Sequence, residues 1–436
     1  ERIKNMPATP KKTTTKPKDK VTIKEHKTSS HISTQPVINI GMVGQVDNGK
    51  TTLTKALTGK WTDTHSEEIK RGITIRLGYA DATFYKCAKC NIYGSTPTCS
   101  QCSSPATPTR KVSFVDAPGH ESLMATMLSG AAIMDAAILL IAANESCPQP
   151  QTKEHLTALE IIGCKNIIIA QNKIDLVSKE DSLKNYQQIK AFVKGTIAEN
   201  APIIPISAQH KANVHILIQA IEENVPTPQR DASKPPLMFI ARSFDVNRPG
   251  TAIKDLAGGI LGGSLKQGTF KIHQDIEIRP GISIEKDGKR TTKPITTKIA
   301  GLQTGTVALQ EAHPGGSIGV QTTLDPFYVK SDSLTGNIAG LPGQLPPVWE
   351  EFAVSPKLLE RVVGSKEELK VDPIKKLESL MLNVNAAATV GVVTDIKKDQ
   401  FHVRLKIPVC CSKEDRITIS RMIGNRWRLI GFGTIV

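Results

Sequence analysis

Gly44-Gln45-Val46-Asp47-Asn48-Gly49-Lys50-Thr51 has the spacing GxxxxGK[ST]. It stands between an apolar run, Val37–Val43, and a helix-forming run, Thr51–Leu57. That strand-loop-helix order leaves very few folds open to the chain. The two glycines let the backbone curl so that its N–H groups point inward at a β-phosphate, and the helix N-terminus adds positive potential. Lys50 is expected to reach the β- and γ-phosphates of a nucleotide, and the Thr51 hydroxyl to ligate magnesium. Gly44, Val46, Asp47, Asn48, Gly49 and Thr52 complete the expected binding loop, with Asp47 also a candidate for catalysis and for the magnesium shell.

Residues 37–225 alternate between two textures. Short apolar runs fall at Val37–Val43, Val112–Val115, Ala136–Ala143, Asn166–Ala170 and Ile203–Ile206. Longer mixed stretches lie at Thr51–Leu57, Thr152–Ile162, Ser182–Ala198 and Val214–Asn224. Continuous apolar strands separated by helices predict an α/β domain with a mostly parallel sheet covered on both faces. A Pro-rich linker follows at 225–236, and then short β-type runs punctuated by glycine predict two successive β-barrels, 237–345 and 346–436, split at LPGQLPPVW. Residues 1–36 are rich in Lys, Thr and Pro and predict a disordered basic tail. The longest apolar stretch, near Ala136–Ala143, is far short of the roughly 20 residues that span a bilayer, so no membrane association is expected. The opening residues lack the apolar segment of a secretory signal.

The base is expected to be read away from the phosphate loop. Asn172-Lys173-Ile174-Asp175 follows an apolar run. A carboxylate there accepts two hydrogen bonds from the ring N–H and exocyclic amine of guanine, whereas adenine would leave Asp175 unpaired. Lys173 can lie over the base plane, and Asn172 can tie this loop to the phosphate loop. Ser207-Ala208-Gln209 offers a backbone N–H to the guanine carbonyl. GTP and GDP are therefore the expected ligands, with magnesium. Two segments are placed to sense the γ-phosphate. In Asp116-Ala117-Pro118-Gly119-His120, Asp116 would hold magnesium through water, Gly119 would offer its N–H, and His120 would orient the attacking water. In Arg71-Gly72-Ile73-Thr74-Ile75, Thr74 would add a hydroxyl to magnesium.

Cys87-x2-Cys90-x8-Cys99-x2-Cys102 has the spacing of a closed, structural zinc site. Its place between the two sensing segments suits either transmission of their state or simple bracing. The remaining cysteines are scattered, which fits a reducing, cytoplasmic setting rather than a disulfide framework. Formal charge is +15, of which the tail carries +6, residues 37–225 only +1, and residues 226–345 and 346–436 +4 each. A near-neutral first domain followed by basic ones suits a polyanionic partner, or else a solvated basic surface. Tyr79 is placed either to stack on a nucleic-acid base or to sit half-buried in a sheet. Arg248, on a Pro-Gly loop, suits a phosphate contact or open solvent. Arg421, Arg426 and Arg428 form either a basic face or ordinary barrel surface.

GKTT, RGITI, DAPGH and NKID together resemble the translational GTPases. WTDTHSEEIKRGITIRLGYAD, ESLMATMLSGAAIMDAAILLIAANE, PQPQTKEH, RSFDVNRPGT, LLERVVG, LKVDPI and SRMIGNRWRLIGFG narrow the match. They resemble the gamma subunits of translation initiation factor two, in their archaeal form, over residues 37–436. That resemblance implies a G domain with a zinc knuckle at 87–102, two β-barrels, and assembly with alpha and beta subunits. It also implies GTP-dependent delivery of methionylated initiator tRNA to the small ribosomal subunit. Gln45 and Asn48 stand where the archaeal pattern usually has histidines, and Gln209 where it has leucine. An elongation-type, selenocysteine-specific carrier has a closely similar G domain, but adds a C-terminal RNA-binding domain. A GTPase subunit of sulfate activation would lack both the CxxC insertion and the WTDTHSEE segment.

Overall fold

The computed structural model describes residues 33–62, 68, 74–286, 289–363 and 369–436. Most of the expected tail and Arg71, Gly72 and Ile73 lie outside the described residues. The last tail positions are anchored instead of loose. The Gln35 amide donates to His313 O and accepts from His313 N, and Pro36 O accepts from Gly316 N. A buried side-chain amide that satisfies two backbone groups holds this segment despite its polar composition.

The nucleotide-type domain is a seven-stranded sheet. Its strands are β1 (Asn39–Gly44), β2 (Gly78–Lys86), β3 (Tyr93–Gly94), β4 (Thr107–Asp116), β5 (Ala136–Ala142), β6 (Asn166–Asn172) and β7 (Ile203–Pro205), in the order β3-β2-β4-β1-β5-β6-β7. From β4 to β7 every pairing is parallel, while β2 runs antiparallel to β4 and β3. All residues of β1 and β5 are buried, as both faces are covered. Helices α1 (Lys50–Thr58), α2 (Met124–Ala131), α3 (Pro150–Ile162), α4 (Lys179–Val193) and α5 (Val214–Asn224) supply the covers. Met42, Leu53, Ile138 and Ile218 pack one core, and Val43, Leu139, Leu156 and Ile169 the other.

Two closed six-stranded barrels follow, as expected. In the first, Leu237–Phe244 pairs with Ile260–Gln267, and the ring continues through Ser317–Thr322, Lys289–Thr304, Asp275–Lys286 and Ile338–Gly340 back to its start. In the second, Val348–Leu358, Gln400–Cys410, Ala387–Lys397, Ser379–Val384, Arg416–Ile423 and Arg426–Ile435 close a ring. Both barrels dock on the α/β domain. Asn39 at the start of β1 donates to Ser264 Oγ at 3.1 Å and accepts from Ser317 Oγ at 3.1 Å. Arg428 of the last strand meets Glu154 on α3 at 2.6 Å.

Candidate functional site

The phosphate loop runs from the end of β1 into α1, and its backbone explains its glycines. Gly49 has φ +90°, and a Cβ there would lie 2.4 Å from Asn172 Nδ2. Asp47 adopts φ +64°. Lys50 is buried, with Nζ donating to Gly44 O at 2.9 Å and Gln45 O at 2.8 Å. Its ammonium is thus folded onto carbonyls of its own loop, where phosphate oxygens can replace them. Gly119 presses against this point. A Cβ on it would meet Lys50 Nζ at 2.4 Å, Gly44 O at 2.6 Å and Val46 N at 2.8 Å, so only glycine brings its backbone this close.

A cavity of about 410 Å³ opens over the loop. Val46, Asp47, Gly49, Lys50, Thr51 and Thr52 form its floor. Thr74, Gly119 and His120 wall it at the phosphate end, and Asn172, Lys173, Asp175, Ala208 and Gln209 at the other. Gly44, Asn48, Asp116 and Ser207 stand behind these walls as supports. Asn48 Nδ2 donates to Leu140 O at 2.9 Å, and Asn172 donates to Asn48 O at 2.8 Å. Ser207 N–H goes to Ala212 O and Ala208 N–H to Asn172 Oδ1. The Ser207 and Ala208 amides therefore hold the loop together instead of facing the cavity, which leaves Gln209 at the wall.

The Thr51 and Thr74 hydroxyls approach to 3.3 Å, and Asp116, fully buried, accepts from Thr62 Oγ1 at 2.6 Å. Two hydroxyls backed by a carboxylate suit a hard cation that shares its shell with phosphate oxygens. The residues present thus fit magnesium together with a nucleoside phosphate. His120 caps a short helical turn, with Ser122 N–H donating to its Nδ1 at 3.2 Å and Ser122 Oγ at 2.8 Å from the same atom. Lys173 sits at φ +63°, and the Asp175 carboxylate lies 3.7 Å from His210 Nε2. Burial raises the Glu145 carboxyl above its ordinary range, opposed by Lys173 and reinforced by Asp47.

Sequence reasoning missed Trp61 and Leu176, which also line the cavity, and His155, whose Nδ1 accepts from Gly44 N–H at 2.8 Å. Trp61 and His155 lie in segments that carry the family resemblance and Leu176 directly follows Asp175, but only the fold shows that their side chains reach the loop and the cavity.

The four motif cysteines converge as expected. Their sulfurs lie within 4.8 Å of one another, with Cys87 Sγ and Cys102 Sγ 3.6 Å apart. Tetrahedral zinc, with bonds near 2.3 Å, separates its sulfurs by about 3.8 Å. The set therefore fits a closed zinc site. Hydrogen bonds from Ser104 hold the Cys102 thiol down to about 6, toward the thiolate a metal needs.

The RNA-directed candidates divide. Tyr79 is half-buried on β2, and its hydroxyl is enclosed without a hydrogen-bond partner; burial pushes that hydroxyl well above the ordinary tyrosine range, with Arg242 opposing. Arg248 is exposed on its loop. Arg421 is bonded to Glu378, and Arg428 to Glu154, so neither belongs to an open basic face.

The family profile of the elongation factor Tu GTP binding domain matches residues 35–227, and that of initiation factor eIF2 gamma, C terminal, matches residues 350–435. Translation initiation factor 2 subunit gamma of Methanocaldococcus jannaschii is 60% identical over 401 residues, 92% of this chain and 98% of that one. The protein of the same name from Pyrococcus horikoshii matches to the same extent. Among solved structures, a bacterial selenocysteine-specific elongation factor shares the fold with a TM-score of 0.69 at 24% identity, covering 91% of this chain and 58% of that one. Elongation factor SelB of Methanococcus maripaludis, in complex with the GTP analogue GPPNHP, gives 0.67 at 22%, covering 93% and 80%.

Proposed function

The chain belongs to the family of translation initiation factor 2 gamma subunits, a family of translational GTPases, and on that footing we propose that it carries methionylated initiator tRNA to the small ribosomal subunit under the control of bound GTP. In this reading it works as the core of a heterotrimer with alpha and beta subunits, in the cytoplasm. The observation that carries the reading is the cavity over Lys50 and Thr51, which gathers Thr74, Gly119 and His120 at one end and Lys173 and Asp175 at the other.

Each residue then has a physical task. Lys50 exchanges its two loop carbonyls for phosphate oxygens, as an anionic acceptor outcompetes a neutral carbonyl for an ammonium. Thr51 and Thr74, with Asp116 behind them, hold magnesium, and Asp47 borders the same space. When bound, magnesium neutralises charge on the β- and γ-phosphates. The Gly119 N–H meets the γ-phosphate. His120, with Nδ1 engaged by Ser122, keeps Nε2 to orient the attacking water. Asp175 pairs with the two guanine donors, Lys173 covers the base, and the Gln209 amide meets the carbonyl. Loss of the γ-phosphate removes the ligand that Thr74 and Gly119 share, and the segments bearing them relax. Cys87, Cys90, Cys99 and Cys102 hold a structural zinc ion. Arg248, exposed beside the first barrel, contacts tRNA phosphate, and Tyr79 offers the half-open face of its ring.

The test is binding of methionylated initiator and elongator tRNA, with alpha subunit present, under a non-hydrolysable GTP analogue and under GDP. Preference for the initiator species that is lost with GDP is the expected result. Absence of either preference would mean a GTPase with another cargo, such as an elongation-type carrier.

A further inference from the structure

His155 is the least accounted-for polar group near the nucleotide. It is 1% exposed, points inward from α3, and accepts from Gly44 N–H at 2.8 Å. Gly44 is the hinge between β1 and the phosphate loop. Its φ of +140°, and the 2.4 Å approach a Cβ would make to Leu140 O, show how tightly its backbone is set. Its carbonyl is where Lys50 Nζ and Gly119 converge. The orientation of this one residue therefore bears on both phosphate-reading groups. Burial and the nearby Lys50 ammonium push His155 down to about 3, so the ring is neutral and its Nδ1 is a standing acceptor.

The neighbouring residue on α3 faces the other way. Glu154, also 1% exposed, receives Arg428 of the last barrel at 2.6 Å, while its second carboxylate oxygen is buried without a partner. A carboxylate so enclosed depends on the cation it has. Arg416 of the same barrel donates to Ile161 O at 2.7 Å, in the last turn of α3, where a cation also meets the negative end of the helix dipole. The helix is thus held by two arginines of the last barrel and touches the phosphate loop through one imidazole.

We propose that His155 is a positioning residue of the phosphate loop, and that α3 is the rigid link through which docking of the C-terminal barrel sets nucleotide affinity. The proposal rests on nucleotide binding at this loop, so GDP binding by the unaltered chain is measured first; failure there would reject the site, not the link.

Dissociation of a fluorescent GDP analogue from the full-length chain then tests the link. H155L keeps the bulk and removes the acceptor, leaving Gly44 N–H buried and unpaired, and should speed dissociation about tenfold. H155N places an amide oxygen near the position of Nδ1 and should restore the rate to within about threefold of the unaltered chain. E154Q/R428M removes the Glu154–Arg428 contact without stranding a charge, leaves Arg416 on the helix end, and should speed release about threefold. Combined with H155L it should add little, since both act through one peptide. Thermal unfolding in the absence of nucleotide reports whether each variant folds; if H155L does not, H155N and the E154Q/R428M pair carry the test. Equal rates for H155L and H155N, or fully multiplicative effects in the combined variant, would overturn the proposal. An unchanged rate in E154Q/R428M would do so as well.

Discussion

Asp175 shows what one side chain can decide. A carboxylate presents acceptors only, and guanine presents two N–H donors, so Asp175→Asn turns one matched contact into a clash of donors. GTP affinity should fall on the order of a hundredfold or more, while xanthosine triphosphate, with oxygen in place of the amine, should gain. Competition against a fluorescent guanine nucleotide measures both, and an unchanged preference would mean the base is read elsewhere. His155 makes a pH prediction of the opposite kind. Its native value is about 3, against roughly 6.5 when unfolded. Above that unfolded value both states are neutral and nothing is lost. As pH falls from 6.5 toward 3, the unfolded chain takes a proton the native one refuses, and stability drops by up to about 1.4 kcal/mol per pH unit from this group. Denaturant midpoints between pH 7 and 4.5 should therefore fall less steeply for H155N; parallel slopes would contradict it. Residues of the phosphate and base loops are legible in the sequence because local backbone geometry demands their types, glycine at Gly49 for its left-handed φ and asparagine at Asn172 to bridge two loops. The roles of His155 and Trp61 are not, since the segments around them resemble the family without showing which side chain meets the loop or the cavity.

At the scale of elements, legibility follows burial. Strand β5 reads as AAILLIA and is buried throughout, so its sequence leaves little choice. Helix α4 is expected at 182–198 and runs Lys179–Val193 instead. Ser178 caps it early by accepting from Asp181 N, and Gly195, at φ +76°, closes the turn beyond its end. Strand β2 buries Ala80, Ala82 and Phe84 in alternation and helix α2 buries Met124, Met127, Leu128 and Ala131, but both patterns are short and built partly from alanine, and tertiary partners fix them. β2 is half-exposed between β3 and β4, and α2 is clasped by Asn383 of the last barrel, whose amide donates to Ala125 O at 3.0 Å and Ser129 Oγ at 3.2 Å. The cysteine loop is the reverse case, legible from spacing alone. It hangs between β2 and β4, closed by Cys87 N–H to Ile92 O at 2.8 Å and Cys99 N–H to Ser104 O at 2.9 Å, and none of its residues lines the nucleotide cavity. A loop braced by turns of this kind should depend on metal for its shape. Chelation or Cys99→Ser should sharply raise amide exchange across 87–102 and shift GDP affinity less than about threefold, since distant sites act almost independently. A tenfold shift in GDP affinity would instead make the knuckle a transmitter.

Across the whole molecule, the charge pattern and the interfaces must be read together. The last barrel carries excess cations, yet Arg428 and Arg416 are turned inward, gripping α3, and Arg421 is engaged by Glu378. Its net charge thus overstates what it can offer an outside polyanion. The first barrel is joined by hydrogen bonds around Asn39, by the Arg76–Asp332 ion pair and by Arg242 donating to Leu77 O, while Arg230 of the linker pairs with Asp135. Asn39 opens the same strand that Gly44 ends, and β1 is paired on both sides, so barrel docking and phosphate loop share one rigid element. The Asn39 amide also reaches Ile133 O at 3.2 Å and Gly315 O at 3.4 Å, all of it buried. Asn39→Ala would leave several of those partners unpaired, at about 1–3 kcal/mol for each group stranded. That loss falls on the interface, not on either core, so the domains should keep their own folds and lose their common transition. Calorimetry should then resolve two unfolding events for the variant, with the first barrel melting earlier, and one for the unaltered chain. A single transition at an unchanged temperature would mean that the barrel is held mainly by its apolar contacts, and that β1 does not couple it to the phosphate loop.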